Sequence, residues 1–198
     1  GLGDVYKRQA FANAVEDFNP NIVWRANPDG TVSLDEYNRM QIIMNGGTFL
    51  FLQNKNITSL AGIEYFTNLE TLDCMGNQLT TLDVTKLTNL TGLICAGNQL
   101  TTLDVTKLTN LTDLECNDNQ LVSLNVSTLK ELKILWCHGN KMTALDITNK
   151  AYLGDLKCGN QQDNQQLTLT LWDTKKEFWD RMLNMYSVEN SNVTTNVI

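Results

Sequence analysis

The chain has 198 residues, enough for one sizeable domain or one capped repeat array, with 15 Lys and Arg against 22 Asp and Glu and a net charge of −7. An acidic balance argues against nucleic acid and anionic membrane as main partners, because both attract basic surfaces. No apolar run approaches the roughly 18–20 residues that cross a bilayer, so no transmembrane segment is expected in this fragment.

Residues 1–9, GLGDVYKRQ, look like translated sequencing-library adaptor, since DVYKRQ is the in-frame reading of a transposase end. They are set aside as foreign to the fold. The natural N-terminus is then expected upstream, together with any signal peptide. Residues 10–46 read as a helical N-cap. Phe11, Ala14, Val15 and Phe18 recur at helical spacing until Asn19-Pro20, and a second helix is expected over about 35–44, closed by Gly46-Gly47. Ser33 and Glu36 have the spacing of a capping box for it. The stretch RANPDGTVSLDE at 25–36 also resembles an EF-hand calcium loop. Asn27 and Asp29 fall at its third and fifth positions, Gly30 at the sharp turn, Ser33 at the ninth and Glu36 at the bidentate twelfth. Arg25 stands where the first acidic ligand belongs, which removes an oxygen and repels a cation. The expectation is a vestigial loop within the cap, with retained calcium as the alternative and no other cofactor.

From 47 to 166 the chain repeats. LETLDCMGNQLTTLDVTKLTN at 69–89 recurs at 90, 111 and 132, and Leu69, Leu90, Leu111, Leu132 and Leu153 are 21 residues apart. Such a period marks a solenoid, each coil burying its apolar face against its neighbours. A first repeat at 48–68 is one residue longer, placing Leu50, Leu52 and Lys55 opposite Leu72, Cys74 and Asn77. Leu69, Leu72, Cys74, Leu79, Leu82, Val84, Leu87 and their equivalents should point inward. Asn77, Asn98, Asn119 and Asn140 fall where the chain leaves the strand, suited to bond backbone groups that the turn leaves over. Cys74, Cys95, Cys116, Cys137 and Cys158 are all the cysteines present and form one column. Coils about 4.8 Å apart would permit a disulfide by distance, but parallel side chains strain its dihedral of about 90°. Buried, reduced thiols are expected, and no repeat supplies a short cysteine–histidine cluster for zinc.

The pattern L-x-x-L-x-C-x-x-N-x-L is similar to that of leucine-rich repeats. With NQLTTLDVTKLTNLTGL it resembles the secreted bacterial, internalin-like kind that carries a cysteine ladder, over roughly 47–170. The resemblance implies an α/β-class, mostly β solenoid with a parallel concave sheet, a non-enzymatic binding role for protein or glycan, and an extracellular or cell-surface location. The LDVTKLTN segments are too short for helices, so the convex side should be extended or 3₁₀-like. A C-terminal cap occupies 167–198. LTLTLW should form a strand, a helix should run to about Tyr186 with Phe178, Met182 and Met185 toward the last coil and Trp179 beside them, and VTTNVI should form a last strand. The Gln/Asn run at 160–166 reads as a loop, with Asn160 one residue early for the asparagine column.

Function is expected in the strand residues between the buried ones, because they vary while the buried ones hardly change. Three columns result: Phe49, Thr71, Gly92, Asp113, Ile134, Asp155; then Phe51, Asp73, Ile94, Glu115, Trp136, Lys157; then Gln53, Met75, Ala96, Asn117, His138, Gly159. Trp136, read as an exposed tryptophan on a rigid sheet, is the first candidate for a partner contact. Ile94, Ile134, His138, Asp73, Asp113, Glu115 and Asn117 complete a mixed apolar and acidic patch for a protein or glycan ligand, bound by a monomer. His138 is the only histidine, and its nearest cysteine column is buried, so a nucleophile–base pair is not expected. A structural spacer, or a calcium-stabilised module in a larger surface protein, is the alternative.

Overall fold

The computed structural model describes residues 24–26, 32–34, 48–171, 176–185 and 192–197. Residues 1–9, both expected N-cap helices, and Asn27, Asp29 and Glu36 lie outside them. Within the N-terminal segment, β1 (Trp24–Ala26) and β2 (Val32–Leu34) pair antiparallel, with Arg25 opposite Ser33. That pairing overturns the capping box. A helix capped by Ser33 would make Leu34 its first helical residue, but Leu34 is extended and pairs with Trp24.

Six coils follow. Each contributes one short strand to a parallel sheet: β3 (Phe49–Phe51), β4 (Thr71–Asp73), β5 (Gly92–Ile94), β6 (Asp113–Glu115), β7 (Ile134–Trp136) and β9 (Asp155–Lys157). The register aligns Leu50, Leu72, Leu93, Leu114, Leu135 and Leu156 across the sheet, and the last five are fully buried. Burial of each leucine contributes roughly 1.5–3 kcal/mol of transfer free energy, and the column exists only because neighbouring coils stack.

The return path stays extended for a local reason. Asp83 Oδ1 accepts from the Thr85 amide and hydroxyl at 3.0 and 2.6 Å, and Asp104 does the same with Thr106. Asn125 with Ser127, and Asp146 with Thr148, repeat the backbone part of the device. These side-chain bonds to the amide two residues on compete with helical bonding. Among the described residues, 3₁₀ turns occur at Ile63–Tyr65 in the longer first coil and at Gln162–Asn164.

At the far end a second sheet forms on the other side of the last coils. Strand β8 (Ala144–Asp146) pairs parallel with β10 (Leu167–Leu171), and β10 pairs parallel with β11 (Val193–Val197). Parallel neighbours need a crossover, and helix α1 (Lys176–Met185) supplies it. The cap is thus strand, helix, strand, and β10 grows directly from the last convex strand. The helix rests near β9, but its buried aromatic is Trp179, 2% exposed, while Phe178 is 39% exposed and meets Trp179 edge-on at 5.0 Å. Trp179, which the sequence expectation placed beside the packed face, is thus the more deeply buried of the two aromatics. The helix periodicity allowed either aromatic, and only the seating against β9 chose between them.

One residue breaks the core pattern. Leu87, Leu108 and Leu129 are fully buried at equivalent positions, and the next rung is Lys150, 3% exposed. Its Nζ lies 3.5 Å from the Ser127 carbonyl and 3.4 Å from that of Thr148, and burial lowers its pKa despite the nearby charge of Asp146.

Candidate functional site

The strand register brings the expected columns together. Phe51, Asp73, Ile94, Glu115, Trp136 and Lys157 are successive partners, as are Phe49, Thr71, Gly92, Asp113, Ile134 and Asp155. Beyond the strand ends the backbone ladder continues, with the Gly97 amide donating to the Asn117 carbonyl and the Asp118 amide to that of His138, each at 3.0 Å. Asn117 and His138 are thereby held beside one another, so all eight proposed contact residues share one face.

Their exposures differ from the expectation in two places. Trp136 is half-buried rather than exposed, because the Lys157 ammonium lies 3.8 Å above its ring, and its Nε1 is buried without a partner. Asp73 is 8% exposed, accepting from Gln53 Nε2 at 2.5 Å and from the Met75 amide at 3.1 Å. Ile94, Asp113, Glu115, Asn117, Ile134 and His138 are half-buried. More exposed apolar groups lie elsewhere on the same face. Phe49 and Phe51 are 49% and 45% exposed, with rings stacked at 6.4 Å and 8°, and Met75 is exposed beside them.

The face is acidic: Asp73, Asp113, Glu115 and Asp155 against Lys157. Burial first, and then the charges of Asp73 and Asp113, push the Glu115 carboxyl above its usual range, while Lys157 pulls it back. Asp113 accepts from the Thr112 hydroxyl. Of the proposed calcium ligands Asn27, Asp29, Ser33 and Glu36, only Ser33 is described, in β2.

The regular columns behave as scaffold. Asn119 Oδ1 accepts from the Leu100 amide at 3.0 Å, and its Nδ2 donates to the carbonyls of Cys95 and Cys116 at 3.0 and 3.2 Å. Asn77, Asn98 and Asn140 make equivalent bonds. The next rung is Gln161, 3% exposed, with Oε1 accepting from the Met142 amide at 2.9 Å and Nε2 donating to the Cys158 carbonyl at 2.6 Å. Counting 21 from Asn140 would have found it. A glutamine in a polar run looked like loop, yet its extra methylene reaches the same groups. All five cysteines are buried free thiols, and burial raises Cys74, Cys116 and Cys158 to about 12, with Cys95 and Cys137 also raised well above the usual value.

A parallel sheet of short strands, a 21-residue coil, an asparagine ladder and a column of free cysteines together define an internalin-like leucine-rich-repeat solenoid. The functional domain of InlJ from Listeria monocytogenes, which includes a cysteine ladder, is 31% identical with a TM-score of 0.57, over 75% of this chain and 38% of that one. The chain therefore matches little more than a third of that domain's length. Internalin C2 from Listeria monocytogenes (23% identity, TM-score 0.50, 96% of this chain and 92% of that one) has the same fold. So does the repeat ectodomain of the receptor kinase SOBIR1 from Arabidopsis thaliana (16%, 0.50, 78% and 94%). No family model matches the chain, and no curated protein matches it. Fold and variable sheet face together are those of a leucine-rich-repeat scaffold.

Proposed function

We propose that the chain is a non-enzymatic scaffold that recognises another protein, outside the cell, through its concave sheet. The observation that carries this reading is the contrast between columns. Buried leucines, cysteines and asparagines repeat from coil to coil, whereas the register-matched residues between them change from Phe to Asp to Ile to Glu to Trp. Packing dictates the first set and leaves the second free for partner contact. Similarity to the InlJ domain supports the extracellular part. Asp113 and Glu115 are the carboxylates nearest to a catalytic pair, and they lie half-buried on an open sheet face rather than in a closed cleft.

The test is a displayed random-peptide library selected on the wild-type chain. Recovered binders are then measured against Ile134→Ala/Trp136→Ala on the concave side and Thr101→Ala/Thr102→Ala on the convex side. Loss on the first and retention on the second supports the proposal. Binders indifferent to the concave pair overturn it.

A further inference from the structure

Strand β5 is the low point of the concave sheet. Its outward residues are Gly92, Ile94 and Ala96, and the flanking side chains close over its two ends, leaving Gly92 and Ala96 buried. A β-carbon on Gly92 would lie 3.3 Å from Thr71 Oγ1. Ile94 alone stands partly in solvent on this strand. In register on either side of it are Asp73 and Glu115, two strand spacings or roughly 10 Å apart between backbones.

These neighbours are unbalanced in charge. Asp73, Glu115 and the adjoining Asp113 bear on one another, which is part of why the Glu115 proton is held more tightly than usual. The lysine on this face is two strands from Glu115 and sits over Trp136. Two further acceptors on the face, Asn117 Oδ1 and Asp155 Oδ1, are buried without a donor. The floor is thus apolar and its walls are anionic, while the buried polar atoms left over on the face include the Trp136 Nε1 donor as well as these two acceptors. A long cationic side chain has the matching chemistry, since its alkyl stem packs on apolar surface while its head seeks carboxylates.

We infer that the ligand is a protein segment bearing lysine or arginine, which lays one such side chain across Ile94 and sets its cation against the Asp113–Glu115 pair. This rests on the concave face being the binding surface. The stacked Phe49–Phe51 pair and Met75 then receive the apolar part of the same segment, because they lie on the N-terminal side of β5, the phenylalanines two strands away and Met75 in the adjoining coil.

The test uses a short synthetic peptide of alternating leucine and arginine and its twin with glutamate in place of arginine, titrated calorimetrically onto the full chain. The arginine peptide should bind, and raising salt from about 0.05 to 0.5 M should weaken it because screening acts on these partly exposed charges. Asp113→Asn/Glu115→Gln should weaken it by about tenfold or more. A cooperative thermal unfolding of that variant at or above the wild-type midpoint would show that its fold is intact. Equal binding of the two peptides, or undiminished binding to the neutralised variant, would overturn the inference. Binding of the glutamate twin that is lost with Ile134→Ala/Trp136→Ala would overturn the cationic ligand while the concave surface stands. Peptide binding that responds to no concave substitution would overturn both.

Discussion

Asp118 and Gly139 are one coil apart, and Asp118 Oδ1 lies where a β-carbon on Gly139 would need to be, 2.3 Å from its ideal position. Both residues have positive φ, at 54° and 66°. They belong to a left-handed column of Asn54, Gly76, Gly97, Asp118, Gly139 and Asn160. Asn54 likewise fills the space beside Gly76, at 2.1 Å. A side chain on one rung thus demands a glycine on the next. Gly139→Ala is expected to cost on the order of 1–3 kcal/mol, through clash and strained φ together. Adding Asp118→Gly should return the steric share. Gly97→Ala, whose nearest neighbours are 3.6 Å away, should cost only about 1 kcal/mol for the φ. Urea unfolding of the three variants measures this, and equal losses at Gly97 and Gly139 would show that Asp118 is not the cause.

The cysteine column should make the fold sensitive to alkali. Thiols that ordinarily titrate near 9.0 are raised to about 12 at Cys74, Cys116 and Cys158, chiefly by burial. Between those values the unfolded chain loses protons that the folded chain keeps. Their stabilising contribution is whole below pH 9 and is lost as pH rises toward 12, with a slope of about 1.4 kcal/mol per pH unit for each thiol fully in that window. Melting temperature should fall steeply there, and Cys116→Ala should flatten the fall by one thiol's share. Thiol reagents should titrate the column only after unfolding.

Glu115 predicts a trade between stability and recognition. Burial, Asp73 and Asp113 raise its folded pKa above 4.5. The sign follows: stability is highest below the unfolded pKa and declines as pH rises through the folded one. Glu115→Gln should therefore melt higher than wild type at pH 7, and the gap should close as pH falls toward 4. A lower melting temperature at pH 7 would mean that the carboxylate has a stabilising partner instead.

Lys150 occupies a leucine rung. Replacing it with leucine removes a buried ammonium whose carbonyl contacts are long, at 3.4 and 3.5 Å, and restores the packing of Leu129. Lys150→Leu should stabilise the chain by on the order of 1 kcal/mol at neutral pH. Lys150→Ala, which leaves a cavity, should gain less or lose. Paired denaturant titrations separate charge removal from packing.

Most of the solenoid could be read directly because one period carries it. Cys74 and its four equivalents, the asparagine column and the alternation around Leu72 repeat every 21 residues, so each inward position is restated several times. Where the restatement stops, reading fails. Gln161 continues the asparagine ladder with another residue type. Phe178 and Trp179 sit side by side on a helix with no second copy to show which faces in. The β1–β2 hairpin and the joining of β10 to β8 fall outside the repeated unit altogether.

Sequence alone determined the coil length, the inward leucines and the identity of every concave column, since these depend on a backbone period that strand pairing simply propagates. Tertiary structure decided what those columns present to a partner. Trp136 is half-covered because Lys157, one strand over, can reach its ring. Asp73 is buried because Gln53 from the preceding coil reaches it, and the Glu115 carboxyl is pushed above its usual range by burial and then by Asp73 and Asp113 on its face. The Lys157 and Gln53 contacts join side chains about 20 residues apart across stacked coils, and Asp73 acts on Glu115 from two coils away, so burial and charge there follow from distance in space rather than distance along the chain.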